Sequence, residues 1–239
     1  MQPIDQETRD KIILQEGNIV ISASAGTGKT HTTIVKIKHD IENNQSFSTY
    51  GAITFTKKAV KEIESRLLRE KGKGFISTND NFVLQEIIRP FMYDVYGRTF
   101  KKEIKLYSTA NQIFDYDTGI KKMEDTGFIC KYADNKKNFS FQLALYILKK
   151  SEAAKLYLQS KYYRIYIDEY QDCDKDMHKL FMYLCKNLSI PLFIVGDLKQ
   201  SIYGWRGGYE KGFRGLLIDS DFSSFKLKHN FRSVICIQN

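Results

Sequence analysis

The chain has 239 residues, with 37 Lys and Arg against 28 Asp and Glu, a net charge of +9. Its 42% hydrophobic and 27% charged residues suit a globular protein with a full core, and 15 Gly with 3 Pro exclude a fibrous or largely disordered chain. No apolar run approaches the roughly 20 residues that a bilayer demands, and the acidic N-terminal segment lacks the pattern of a signal peptide.

In chain order, Gly17 and Asn18 make a turn into a short buried strand, Ile19-Val20-Ile21, and a glycine-containing loop follows. From Lys29 onward, Ile34, Val35, Ile37 and Ile41 recur at helical spacing. A second strand is expected over 52–55, then a helix over 57–69 with Val60, Ile63, Leu67 and Leu68 on one face. Residues 81–160 break the strand–helix rhythm and read as mainly helical, with helices over 138–150 and 152–159. Between residues 98 and 150 they carry 11 basic against 6 acidic residues, which fits either a solvated face or a polyanionic partner. A third strand over 163–167, a helix over 174–187, a fourth strand over 191–195 and a fifth over 225–227 complete the alternation. Strands alternating with helices predict an α/β fold with a parallel sheet. The expected division is an α/β domain from 1–80 and 161–239, interrupted by a helical insertion at 81–160. Four cysteines without a C-x-x-C pair argue against zinc and a disulfide framework, and for reduced thiols in a cytoplasm.

Between the first strand and the first helix stands Ala23-Ser24-Ala25-Gly26-Thr27-Gly28-Lys29-Thr30, the setting a phosphate-binding loop requires. Gly26 and Gly28 let backbone N–H groups turn inward on phosphates, and the helix that follows adds its own donors and partial positive charge. Lys29 supplies a cation for the β- and γ-phosphates, and Thr30 a hydroxyl for Mg²⁺. The complementary half-site is Ile165-Tyr166-Ile167-Asp168-Glu169, an apolar strand ending in two carboxylates. Asp168 is placed to hold Mg²⁺, and Glu169 to orient and deprotonate an attacking water.

Phosphate chemistry alone does not explain the next string, Gly196-Asp197-Leu198-Lys199-Gln200-Ser201-Ile202-Tyr203-Gly204-Trp205-Arg206-Gly207. It resembles motif III of the UvrD/Rep-type superfamily 1A DNA helicases, G-D-x-x-Q-S-I-Y-x-W-R-G, at nine fixed positions in twelve. The other motifs fall in the family's order. Residues 23–30 are similar to motif I, in which Ala at the first position is usual, and 53–59 to motif Ia, with Lys57 where Asn is common. Asp168-Glu169-Tyr170-Gln171-Asp172 resembles motif II, and Asn230-Phe231-Arg232-Ser233 resembles motif IV. The family's adenine-reading glutamine aligns with Thr8, with Gln6 two positions away, and Asp80 stands where the family has a His that faces DNA.

The resemblance implies a RecA-like P-loop NTPase domain with a reduced insertion: the ATP- and Mg²⁺-binding N-terminal portion of a DNA helicase or translocase. It assigns Glu169, Gln200 and Arg232 to catalysis, with Gln200 sensing the γ-phosphate and Arg232 serving as a finger on the transition-state oxygens. It places ATP on residues 23–30 with Phe231 stacked on adenine. It also places single-stranded DNA on Phe55, Thr78, Tyr203, Trp205 and Arg206. Base stacking on such aromatics tolerates any sequence. Motifs V and VI and a second motor domain have no counterpart in residues 1–239, so the resemblance implies that a longer parent chain or a partner completes the motor. The rival expectation is an ATP-gated DNA-binding or scaffold subunit regulating a partner nuclease, since UvrD-like proteins accompany nucleases in recombination and in phage-defence systems such as Gabija.

Overall fold

A computed structural model describes residues 3–67, 74–97, 103–106, 112–200 and 208–232. Its frame is a six-stranded sheet, every ladder parallel, built from β1 (Ile19–Ala23), β2 (Thr49–Thr54), β3 (Phe75–Thr78), β6 (Tyr162–Ile167), β7 (Leu192–Gly196) and β8 (Ser223–Leu227) in the order β3-β2-β6-β7-β1-β8. A small parallel pair, β4 (Gln112–Ile113) with β5 (Lys131–Tyr132), lies apart from it.

Alternation along each strand sends side chains to both faces, and both faces are covered, which is why the strands read as unbroken apolar runs. Val20, Ile165, Ile167 and Ile194 enter one core with Phe82, Ile87, Leu143, Ile147 and Leu180. Ile19, Ile21, Tyr166, Phe193 and Val195 enter the other with Ile12, Ile34, Ile37 and Ile63. The second face is covered by α1 (Gln6–Leu14), α2 (Lys29–Asn43) and α3 (Lys57–Leu67).

The first face is covered by α7 (Phe139–Lys150), α8 (Glu152–Lys161), α9 (Lys175–Lys186) and a helical run of three parts. That run is α4 (Asn79–Val83), a wide turn over Leu84–Ile88 and α5 (Arg89–Tyr96). The wide turn has the π form, which inserts a residue into a helix, and it turns Glu86 inward. The Glu86 carboxylate accepts from Lys161 Nζ at 2.6 Å, Tyr162 OH at 2.7 Å and Tyr157 OH at 3.0 Å, so this buried charge is paired and hydrogen-bonded. Among the described residues, the remaining α-helices are α6 (Tyr116–Thr126) and α10 (Glu210–Leu216).

The strands expected from the sequence all form, with modest shifts of their ends. The 52–55 strand runs Thr49–Thr54 and so leaves Phe55 one residue past its end. Helix α1 and strand β3 carry too weak an apolar pattern to be expected. The buried residues of α1 are Arg9 and Ile12, and the buried residue of β3 is Ser77. Because every strand of the main sheet runs the same way, the ends of β1, β6, β7 and β8 and those of β2 and β3 share one edge, where ligands of open α/β sheets bind.

Candidate nucleotide and nucleic-acid site

The loop after β1 turns at Gly26 and Gly28, with φ of +78° and +79°, a region that disfavours any residue with a side chain. Gly26 is held to glycine twice over, since a Cβ there would lie 2.9 Å from Arg232 Cβ and closer still to Asn230 Oδ1. The loop is braced from behind: Ala23 ends β1 in the core, and the buried Thr27 donates from Oγ1 to Ser24 O at 2.8 Å. Ala25, Gly26, Gly28, Lys29 and Thr30 line an open cleft of about 770 Å³. Glu169, Gln200, Phe231 and Arg232 line it too. The structure thus gathers Glu169, Gln200, Arg232, Phe231 and five of the eight loop residues from the ends of four strands around one cleft, while Ala23, Ser24 and Thr27 do not line it.

At the mouth of the loop, Thr30 Oγ1 lies 3.5 Å from Asp168 Oδ2. Burial first, and then the neighbouring Glu169 carboxylate, push the Asp168 carboxyl up to about 6, against the backbone N–H of Glu169, the Lys29 charge and the Thr30 hydroxyl, which favour the charged form. A buried carboxylate short of positive charge beside a hydroxyl is a donor set suited to a small hard cation such as Mg²⁺. Glu169 has a left-handed backbone, φ +54°, and its Oε2 lies 3.6 Å from Lys29 Nζ. Lys29 and Glu169 thus face each other as an ion pair across the cleft.

One feature of this cleft escapes the sequence reading, and another decides between two residues it offered. One is a buried ion pair, Asp5 with Arg9, whose Nε–Oδ1 distance is 2.9 Å. Arg9 also donates to Thr27 O at 2.8 Å and Thr32 Oγ1 at 2.9 Å, and Asp5 Oδ2 accepts the backbone N–H groups of Lys228 and His229. Through this pair α1 clamps the phosphate loop to the segment that carries Phe231, and the Arg9 guanidinium sits 5.2 Å from the Phe231 ring centre. The Phe231 N–H closes the clamp by donating to Gly26 O at 2.9 Å. The other is Gln6: it lines the cleft, and Thr8, where the adenine-reading glutamine aligns, is not among the lining residues.

On the other half of the sheet edge, Thr54 pairs with Thr78 across β2 and β3, so Phe55 and Thr78 emerge side by side. Phe55 is half-buried and packs on the larger core. Asp80 is partly buried, and Ser140 Oγ lies 3.5 Å from its Oδ1. Tyr203, Trp205 and Arg206 lie outside the described residues.

A family model described as an AAA domain matches residues 6–206. The chain belongs to the AAA-domain family. Relatives of this AAA-domain chain include the Gabija protein GajB of Bacillus cereus (strain VD045), 49% identical over 97% of this chain and 47% of that protein. A probable DNA helicase II homolog of Rickettsia conorii is 28% identical over 98% of this chain and 43% of its own length. The ATP-dependent DNA helicase Rep of Buchnera aphidicola is 26% identical, covering 94% and 42%. The UvrD/Rep-type resemblance read from the motifs is thereby met, and the chain spans less than half the length of these relatives. Among the described residues, no helix is long and apolar enough to cross a membrane.

Proposed function

We propose that this chain is the ATP-binding portion of a UvrD-like, ATP-dependent DNA helicase or translocase that couples hydrolysis to movement on single-stranded DNA, in a cytoplasmic setting. The observation that carries the reading is the convergence of the phosphate loop, Asp168, Glu169, Gln200 and Arg232 on one cleft, since a passive scaffold has no use for a base and an arginine finger. In this reading Lys29 leaves Glu169 for the β- and γ-phosphates as nucleotide enters, and Glu169 then orients the attacking water and takes its proton. Gln200 contacts the γ-phosphate, Arg232 faces its equatorial oxygens, and Phe231 supplies a stacking platform for adenine with Gln6 at the cleft wall. Asp168 and Thr30 would hold Mg²⁺, which when bound offsets phosphate charge. Single-stranded DNA would cross the edge at Phe55 and Thr78 and meet Tyr203, Trp205 and Arg206.

The likeness to GajB favours a second reading, an ATP-gated DNA-binding subunit that regulates a partner nuclease. Steady-state ATP hydrolysis with and without single-stranded DNA separates the two. The motor reading expects turnover that DNA accelerates; ATP and DNA binding without appreciable hydrolysis would favour the regulatory subunit.

A further inference from the structure

Glu169 and Gln200 stand on different strand ends, yet hydrogen bonds join them through two buried residues that have no role in the reading above. Gln171, 4% exposed, donates from Nε2 to Glu169 Oε2 at 2.7 Å and accepts the Asp197 backbone N–H on Oε1 at 2.8 Å. Asp197, 2% exposed, in turn accepts from Gln200 Nε2 on Oδ2 at 2.7 Å and from the Lys199 N–H on Oδ1 at 2.9 Å. These partners fix the orientation of the Gln171 amide. A backbone N–H only donates, so the amide oxygen faces Asp197 and the NH₂ is left for the carboxylate.

Space for the amide depends on Gly196, where a Cβ would lie 3.0 Å from Gln171 Oε1 and 2.8 Å from the Phe213 ring. Beyond Gln200 the chain is fastened to the same turn again: the Tyr209 N–H donates to Cys173 O at 2.7 Å, and Gly208 pairs with Asp174. Gln200, Gly208 and Tyr209 are therefore all fastened to the turn that follows Glu169.

We propose that Gln171 and Asp197 are positioning residues that make the base and the γ-phosphate contact move as one unit. This rests on the roles proposed above for Glu169 and Gln200. Breaking any bond of the chain would strand a buried polar group, so a displacement of Gln200 is carried to Glu169 instead of being absorbed between them.

The test is a double-mutant cycle in the full-length protein, reading kcat and KM for DNA-stimulated ATP hydrolysis in Gln171→Met, Gln200→Ala and the double variant. Each single change is expected to lower kcat roughly 10–100-fold, the scale of a lost bond to a charged group, with KM for ATP within about threefold. The double variant is expected to be no slower than the slower single one, within about threefold, because residues acting as a unit are non-additive. Effects that multiply would overturn the relay. Gln171→Glu keeps the volume and the acceptor for Asp197 but loses the donor to Glu169, so it serves in the same cycle if Gln171→Met does not fold; wild-type kcat in Gln171→Glu would also overturn it. Wild-type turnover in Gln200→Ala alone would instead refute the role of Gln200 from which the relay starts.

Discussion

Along the edge of the sheet, the ends of β6, β7, β1 and β8 are laced together by bonds that cross from one strand end to the next. Gln171 joins the residues after β6 to Asp197, Arg9 holds the phosphate loop, and Phe231 and Asp5 fasten the residues after β8. The ends of β2 and β3 are joined by their ladder, and the buried Thr54 hydroxyl between them finds no partner among the described residues. The contrast follows from what each half is proposed to do. Phosphoryl transfer depends on groups preset to within a fraction of an ångström, while a track that accepts any base needs an aromatic surface and little fixed polar geometry.

The sharpest way to break the contrast is at the base. Glu169→Gln preserves size and hydrogen bonding, so ATP affinity measured by titration should stay near wild type while turnover falls by about 10²–10⁴-fold. Hydrolysis near wild type would reduce Glu169 to a structural acid. A smaller effect is expected on the other half: Phe55→Ala should weaken single-stranded DNA binding by roughly 5–150-fold, the 1–3 kcal/mol of a lost base stack, with ATP affinity as the control. If DNA affinity is unchanged and ATP affinity falls instead, Phe55 belongs to the core and the division of the edge is wrong.

The smallest effect concerns Asp168. With its carboxyl raised to about 6, protons compete with metal below that value. The Mg²⁺ concentration for half-maximal ATP binding should therefore rise by about tenfold from pH 7 to pH 5 and stay flat above pH 7. A requirement independent of pH across that range would remove Asp168 from the metal site.

Much of the laced half was legible in the sequence, because its signals are local. The phosphate loop is eight consecutive residues between a strand and a helix, and the strands β1, β6 and β7 are apolar on both faces and read as runs. What stayed hidden depends on contacts distant in sequence. Arg9 looks like one more surface charge of a polar helix until Asp5, Thr27 and Thr32 converge on it. Gln171 sits inside a recognisable string, but its purpose emerges once the Asp197 N–H is found against it. Strand β3 escaped because an edge strand buries little, and here its buried residue is a serine.

The pairing of β1 with β8 also sets a schedule for biosynthesis. Ile19 lies beside Ser223 in the sheet, and Asp5 takes its backbone partners from Lys228 and His229. About 200 residues must be translated between one partner and the other, roughly 10–40 s at 5–20 residues per second. For that interval the nascent phosphate loop is without its clamp, and β1 carries an open, apolar edge of the kind that pairs with other chains. Chaperone occupancy on ribosomes stalled shortly before residue 223 should accordingly exceed that on ribosomes stalled far enough beyond residue 232 for β8 to have cleared the exit tunnel.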